Sequence, residues 1–346
     1  MVSIKDVAHL AGVSTQTVSN CLNNPSIVRQ ATRELVNDAI AQLGYMPNAS
    51  ARRLRTHHSN TIGIGIAPVA RSRVYDRLLH ALVTQSEACG IRVMLYKIDS
   101  RQDEIRQFET LTRGGDVDSF VLTDDTYDDP RIPWLIEHHQ AFVLFGRPWG
   151  RSMDDPQVPW VDVDGHSGIA DMTSHLILHG RKHIGFIGWS EHSGTGHDRW
   201  RGWKDTLLAA RMAQPDELDS LCVCCEDSIG GGQAACATLL SQRPDVDAIV
   251  CVSDTLATGA MLALPPEHDV MITGFDNTSS AQSLGFPTVD QPLADSAREI
   301  VRIIRERIGS HTADPDSSPA AGNDPWHVLL PPHIITDYEH RVMSTD

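Results

Sequence analysis

Residues 2–24 read VSIKDVAHLAGVSTQTVSNCLNN, and the organisation of the whole chain follows from how this stretch folds. Ile4, Val7, Ala8 and Leu10 recur with helical spacing, and AGVS then breaks the pattern. Gly12 suits a tight turn, and Ser14 can cap a new helix. The second helix, 15–22, carries Val18 and Leu22 on one face and Thr15, Gln16, Ser19 and Asn20 on the other. A short helix, a turn containing Gly and a second short helix with small hydrogen-bonding side chains outward is a helix-turn-helix. Such a second helix fits the major groove, where Gln, Asn, Ser and Thr can read base edges. A third helix, with Thr32 and Glu34 near its start and Leu35, Ala39, Ile40 and Leu43 inward, would close a small three-helix core. Residues 1–46 are therefore predicted to be a DNA-binding headpiece, with Ser14, Thr15, Gln16, Thr17, Ser19 and Asn20 at the DNA.

Residues 43–55 read LGYMPNASARRLR. Gly44 ends the third helix and Pro47 forces an extended step. Asn48 can cap a short helix, 49–55, that holds three arginines and Leu54. A helix this short does not persist alone in water, and DNA is the expected partner. Together, IKDVAHLAGVSTQTVSNCLN and LGYMPNASARRLR resemble the signature of the LacI/GalR family of bacterial transcriptional regulators. The resemblance implies that residues 47–59 are a hinge helix and linker, with Leu54 wedged into a central base step of the operator and Ala51 packed beside it. It also implies a homodimer on a near-palindromic double-stranded operator.

The 346 residues carry a net charge of −16, unevenly spread. Residues 1–60 hold six Lys/Arg and three acids, a net +3, which leaves −19 for the remainder. An acidic body argues against diffuse nucleic-acid binding and confines contact to the headpiece. Lys5 and Asp6 interrupt any early apolar run, so no signal peptide is expected, and no stretch approaches a transmembrane span. Seven cysteines, an odd number set in apolar segments, fit a reducing cytoplasm.

Beyond residue 60 apolar strands alternate with amphipathic helices: TIGIGIA, RVYDRLLHALVTQSEACG, IRVMLYKI, DEIRQFETLTRG, VDSFVLT, PRIPWLIEHHQ, AFVLFGR and VPWVDV. This alternation predicts a parallel sheet covered by helices. The pattern restarts after the helix GHSGIADMTSHLILHG, where HIGFIGW echoes TIGIGIA as an opening strand. Two similar α/β lobes with a cleft between them are expected over 60–340. The helix DSAREIVRIIRERIG leads into a Pro/Ser/Asp-rich loop, and WHVLLPPHII returns as a last strand pair. The segments VDVDGHSGIADMTSHLILHGRKHIGFIG, AIVCVSDTLATGAM, ITGFDN and PTVDQPLADSAREI resemble later family blocks in order. The fold class implied is α/β: a helix-turn-helix headpiece plus a two-lobed, periplasmic-binding-protein-like parallel-sheet domain. VARSRVYDRLL stands where relatives carry an Asn-Pro-Phe-Phe-like segment, and Asp164-Gly165 where they carry Asp-Asn.

Loops at the carboxyl ends of parallel strands form ligand sites in open α/β sheets. Here they hold Arg147 and Trp149 after AFVLFG, Trp189 after HIGFIG, then Arg199 and Trp203, Ser253 after DAIVCV, and Asp276 after MITGF. Aromatic faces with Arg and Asp forks suit a sugar, whose C–H faces pack on indole and whose hydroxyls take bidentate bonds. The resemblance implies that Arg199 and Asp276 hold the effector, and that Ser253 sits where relatives often have Asn. FGRPW resembles actinobacterial regulators that sense gluco-oligosaccharides. The function expected is a repressor released by a glucoside or gluco-oligosaccharide. A corepressor-dependent regulator with a purine-like ligand is the alternative, and a sugar-binding transport protein a more distant one.

Other signals carry less. Cys222 and Cys225 have Cys-x-x-Cys spacing but no second ligand pair, so buried thiols are expected rather than zinc. His175 and His179 are i, i+4 with no following Glu and no third ligand. No nucleophile elbow or phosphate loop is present. No metal, no cofactor and no enzymatic activity are expected.

Overall fold

The computed structural model describes residues 2–45, 58–66, 74–124, 126–189, 193–264, 269–310 and 326–336, and it divides into two compact units, Met1–Ser59 and Asn60–Asp346. The first unit is three helices: α1 (Ile4–Leu10), α2 (Thr15–Asn23) and α3 (Gln30–Leu43). Asp6 starts α1 by accepting the Ser3 backbone N–H and hydroxyl, both at 2.8 Å. Ser14 caps α2, its Oγ accepting the Thr17 N–H at 3.1 Å. Gly44 ends α3 in the left-handed region, φ 59°, where a side chain would be strained. The core is Val7, Ala8, Val18, Val36 and Ala39. Ala39, Ile40 and Leu43 of the third helix pack inward as expected, but Leu35 is 56% exposed and Val36 takes the inward place instead. The hinge positions Ala51 and Leu54 lie outside the described residues.

The second unit begins with β1 (Thr61–Ile66), α4 (Val74–Ala88), β2 (Arg92–Lys97), α5 (Arg101–Gly114), β3 (Ser119–Leu122), α6 (Arg131–Glu137), β4 (Ala141–Phe145) and β5 (Trp160–Val163). The chain then leaves through α7 (Gly165–Leu178) into β6 (Ile184–Gly188), α8 (Gly194–Ala209), β7 (Cys222–Cys224), α9 (Ile229–Gln242), β8 (Ala248–Cys251), α10 (Asp254–Ala263) and β9 (Met271–Thr273). After α11 (Ser279–Leu284) and β10 (Thr288–Asp290) come α12 (Leu293–Ser310), β11 (His327–Leu330) and β12 (His333–Ile335).

Two parallel sheets result, one per lobe. The first has the order β11-β5-β4-β3-β1-β2 and the second β7-β6-β8-β9. Central strands such as β3, β4 and β6 are buried along their whole length, as a sheet covered on both faces requires. The last two strands do not pair with each other, contrary to the sequence expectation. β11 adds to the first sheet beside β5, whereas β12 pairs antiparallel with β10 beside the second lobe. Pro331 and Pro332 between them break the ladder. The helix α12 likewise returns to the first lobe, where Leu293, Ala297, Ile300 and Ile304 pack with Ile62, Ile64 and Val143. The chain thus crosses between lobes after β5, after β10 and after β11. Among the described residues no helix is long and apolar enough to cross a membrane.

Candidate functional site

On the headpiece, Ser14, Thr15 and Gln16 are exposed at the start of α2, and Asn20 follows one turn later. Gln16 Nε2 donates to Asn20 Oδ1 at 3.0 Å, which ties the two amides together. The Ser14 and Thr17 hydroxyls lie 2.9 Å apart and are occupied with the cap. Ser19 is only 9% exposed and turns toward the helical core, so it leaves the outward face on which the sequence placed it. The face available to a base edge is Thr15, Gln16 and Asn20.

In the second unit the strand-end residues gather around the first turn of α8. Arg147 follows β4. Its Nε donates to Asp162 Oδ2 at 2.7 Å, and its Nη2 donates to Asp198 on α8, an ion pair that joins the lobes. Its guanidinium also lies 4.5 Å from the Trp149 ring. The Trp149 indole lies flat on Gly194, where a Cβ would sit 2.1 Å from the ring. Burial alone would lower the Arg147 pKa, but the Asp162 and Asp198 carboxylates raise it above its ordinary value. Asp162, largely buried, is raised by that burial against the pull of Arg147.

Arg199 enters from the second lobe. Its Nη1 donates to the Val252 carbonyl at the end of β8 at 2.7 Å and lies 4.0 Å from Asp276 Oδ1. The guanidinium sits 3.6 Å from the Phe275 ring and 5.2 Å from Trp189. Burial lowers its pKa, opposed first by Asp276. Gly165 makes room for this side chain: a Cβ there would lie 2.9 Å from Arg199 Cγ. The departure from Asp-Asn at 164–165 therefore has a packing consequence. Asp276 accepts Gln291 Nε2 at 2.6 Å and adopts φ 115°, a region L-residues rarely enter. Ser253 is fully buried at the start of α10. Its Oγ accepts the Leu256 N–H at 3.2 Å and donates to Asp227 at 2.6 Å.

Trp203 does not join this group. It has no exposed surface, packs on Phe186 at 5.4 Å and donates its indole N–H to the Ile184 carbonyl at 3.2 Å. It is one helical turn beyond Arg199, which carries it from the strand ends down into the core.

Asp162, Asp198, Asp227 and Arg77 belong to the group and were missed in the sequence. A carboxylate inside the apolar strand WVDV was a readable sign for Asp162. Asp198 and Asp227 are unremarkable in sequence, and Arg77 in mid-helix gives no sign. Arg77 reaches from α4 to the second lobe, donating to the Asp276 carbonyl at 2.6 Å and to Asp290 at 3.0 Å.

Among the described residues, three buried donors here have no protein partner: Arg199 Nε and the indole N–H groups of Trp149 and Trp189. Buried donors are nearly always paired, so unpaired ones around one helix turn mark a place that takes a ligand or ordered water. The carboxylates of Asp276, Asp227 and Asp198 lie close enough to act on the Arg199 charge and supply acceptors. Donors, acceptors and indole rings in one group match a polyhydroxylated ring. Elsewhere, the thiols form no disulfide, and no group of three or more His, Cys, Asp or Glu among the described residues could hold a metal.

Residues 3–48 match the family model "Bacterial regulatory proteins, lacI family", and residues 61–324 match "Periplasmic binding proteins and sugar binding domain of LacI family". The HTH-type transcriptional regulator CelR of Thermobifida fusca is 32% identical over 324 residues, spanning 90% of this chain and 94% of that protein. A solved transcriptional regulator CelR–cellobiose complex superposes with a TM-score of 0.69 at 27% identity, covering 97% of this chain and 98% of the other. The lac repressor dimer bound to operator and an anti-inducer shares the fold, with a TM-score of 0.75 at 22% identity over 96% and 97% of the two chains.

Proposed function

Because the chain belongs to the lacI family of bacterial regulatory proteins, we propose that it is a transcriptional repressor that binds a palindromic operator as a homodimer and leaves it when a glucoside or gluco-oligosaccharide binds the cleft. The headpiece reads the major groove with Thr15, Gln16 and Asn20, while Ser14 and Thr17 fix the start of the recognition helix. Ala51 and Leu54 act in the minor groove, as the family resemblance implies. The protein works in the cytoplasm, where its reduced thiols and its DNA are found together.

The observation that carries the effector assignment is the set of three unpartnered buried donors beside Asp276, Asp227 and Asp198. Arg199 and Asp276 hold one sugar ring, with Trp189 and Trp149 along its faces. Arg147 acts chiefly through Asp162 and Asp198, joining the lobes beside the ligand rather than holding it alone. Ser253 orients Asp227. The cellobiose of the related CelR complex is a gluco-disaccharide, which agrees with the FGRPW resemblance. A ligand spanning both lobes favours one lobe arrangement only by binding it more tightly than the other. That preference must reach the hinge for the operator to be released.

The test is operator binding, with and without glucose disaccharides, for wild type and Asp276→Ala. Wild type should release DNA on sugar addition. The variant should bind operator normally and fail to release, because removing a buried acceptor costs about 2–5 kcal/mol of ligand affinity. Release of the variant at the wild-type sugar concentration would show that the sugar sits elsewhere.

A further inference from the structure

Beside the cleft, the second lobe holds a cavity of about 530 Å³ between the first turns of α8 and the edge strand β7. Its walls include the rings of Phe186, Trp189, Trp200 and His197, with Asp219 and the Cys224 thiol between them. None of these except Trp189 takes part in the Arg199–Asp276 site. Trp189 borders both spaces: its indole lies 5.2 Å from the Arg199 guanidinium and also lines the cavity. Its indole N–H is buried without a protein partner among the described residues.

The volume lies within the range of small-molecule pockets and leaves room for one more ring of effector. The wall chemistry narrows the class. Aromatic faces suit the C–H face of a pyranose, and an imidazole and a carboxylate can take its hydroxyls. Trp200 is braced from two sides, edge-on by His197 at 5.4 Å and by Lys204 Nζ at 4.8 Å. A braced aromatic loses little freedom when a ring stacks on it. Asp219 disfavours an anion there.

We propose that this cavity is a second-ring subsite: an effector of two or more linked pyranose rings places one ring at Arg199 and Asp276 and continues past Trp189 into the cavity. The proposal rests on the reading of the cleft as a sugar site, and it makes Trp200 a determinant of effector length. A monosaccharide then occupies only the cleft and binds more weakly.

Calorimetry with glucose and a panel of α- and β-linked glucose disaccharides tests this on the full chain, in wild type, Trp200→Ala and Cys224→Trp. The first variant removes a wall and the second fills the space; melting and operator binding confirm that each is folded. At least one disaccharide should bind wild type roughly tenfold more tightly than glucose, about 1.4 kcal/mol. That margin should collapse in both variants while glucose affinity stays unchanged. The subsite is overturned if no disaccharide surpasses glucose in wild type, or if the margin survives in either folded variant. Failure of the cleft reading looks different: no sugar binds wild type, or Asp276→Ala leaves sugar affinity intact, and the subsite then falls with it.

Discussion

Asp276 sits at φ 115° and its neighbour Asn277 at φ 48°, two non-glycine residues in succession at positive φ. Such backbone costs of order 1–3 kcal/mol per residue and persists only where the surroundings hold it. The holding group is Asp254, which is fully buried. Its Oδ2 accepts the Thr278 N–H at 2.6 Å and its Oδ1 the Thr288 hydroxyl at 2.5 Å. Burial, with the Asp276 charge second, pushes the Asp254 pKa up to about 7 from an ordinary 3.8. The folded protein therefore binds this proton more tightly than the unfolded chain does. Between about pH 4 and 7 the native state holds more protons, so this group's contribution to stability falls as pH rises through that window, at up to about 1.4 kcal/mol per pH unit. Asp254→Asn keeps an acceptor for the Thr278 N–H and removes the titration. Urea midpoints taken from pH 5 to 8 should fall less steeply with pH in the variant than in wild type. Equal slopes would mean that Asp254 is not the titrating group.

At the scale of elements, α2 is the clearest case of sequence dictating both shape and use. Its cap, its length and its outward Thr15, Gln16 and Asn20 all follow from side-chain chemistry at fixed spacing. The Gln16–Asn20 bond presents the two amides already oriented, so truncating Gln16 also frees Asn20 to rotate. Gln16→Ala should cost roughly 1–3 kcal/mol at the cognate operator and little on random DNA, as read in parallel binding titrations. Equal losses on both sequences would reassign the residue to backbone contact. The same local logic fails where partners are distant. Leu35 and Val36 both fit a helical stripe, and only packing against α1 and α2 selects Val36. Arg199 and Trp203 share a helix face, but the strand ends stop between them, leaving one at the cleft and the other in the core. The alternation of strands and helices was legible throughout the body. The partners of α12, β11 and β12 were not, because a third crossing between lobes leaves no periodicity in the sequence. Arg77 joins the site only through its bond to the Asp276 carbonyl, 199 positions away in sequence.

For the molecule as a whole, charge separates the two tasks. The first sixty residues carry +3 and the remainder −19, so phosphate is attracted to the headpiece and repelled by the body. The cleft continues this bias. Asp162, Asp198, Asp227 and Asp276 set four carboxylates against the guanidiniums of Arg147 and Arg199, two negative charges in excess. Arg77 offers no compensation, since it is engaged by Asp290 and the carbonyls of Asp276 and Asn277. A neutral polyol meets no penalty in such a site, whereas a phosphate brought within about 8 Å of one uncompensated carboxylate pays about 2 kcal/mol at an effective dielectric near 20. The protein should therefore separate a free glucoside from its phosphorylated form on charge alone. Whichever glucoside releases the operator, its 6-phosphate should bind roughly tenfold or more weakly and should fail to release DNA at the same concentration. Raising the salt should narrow the gap only slightly, because enclosed charges are poorly screened. The deciding measurement is a paired titration of the two sugars at low and at high salt. A 6-phosphate that binds as well as the free sugar would place its phosphate beside a cation outside this group of residues, and would overturn the assignment of these carboxylates to the effector's surroundings.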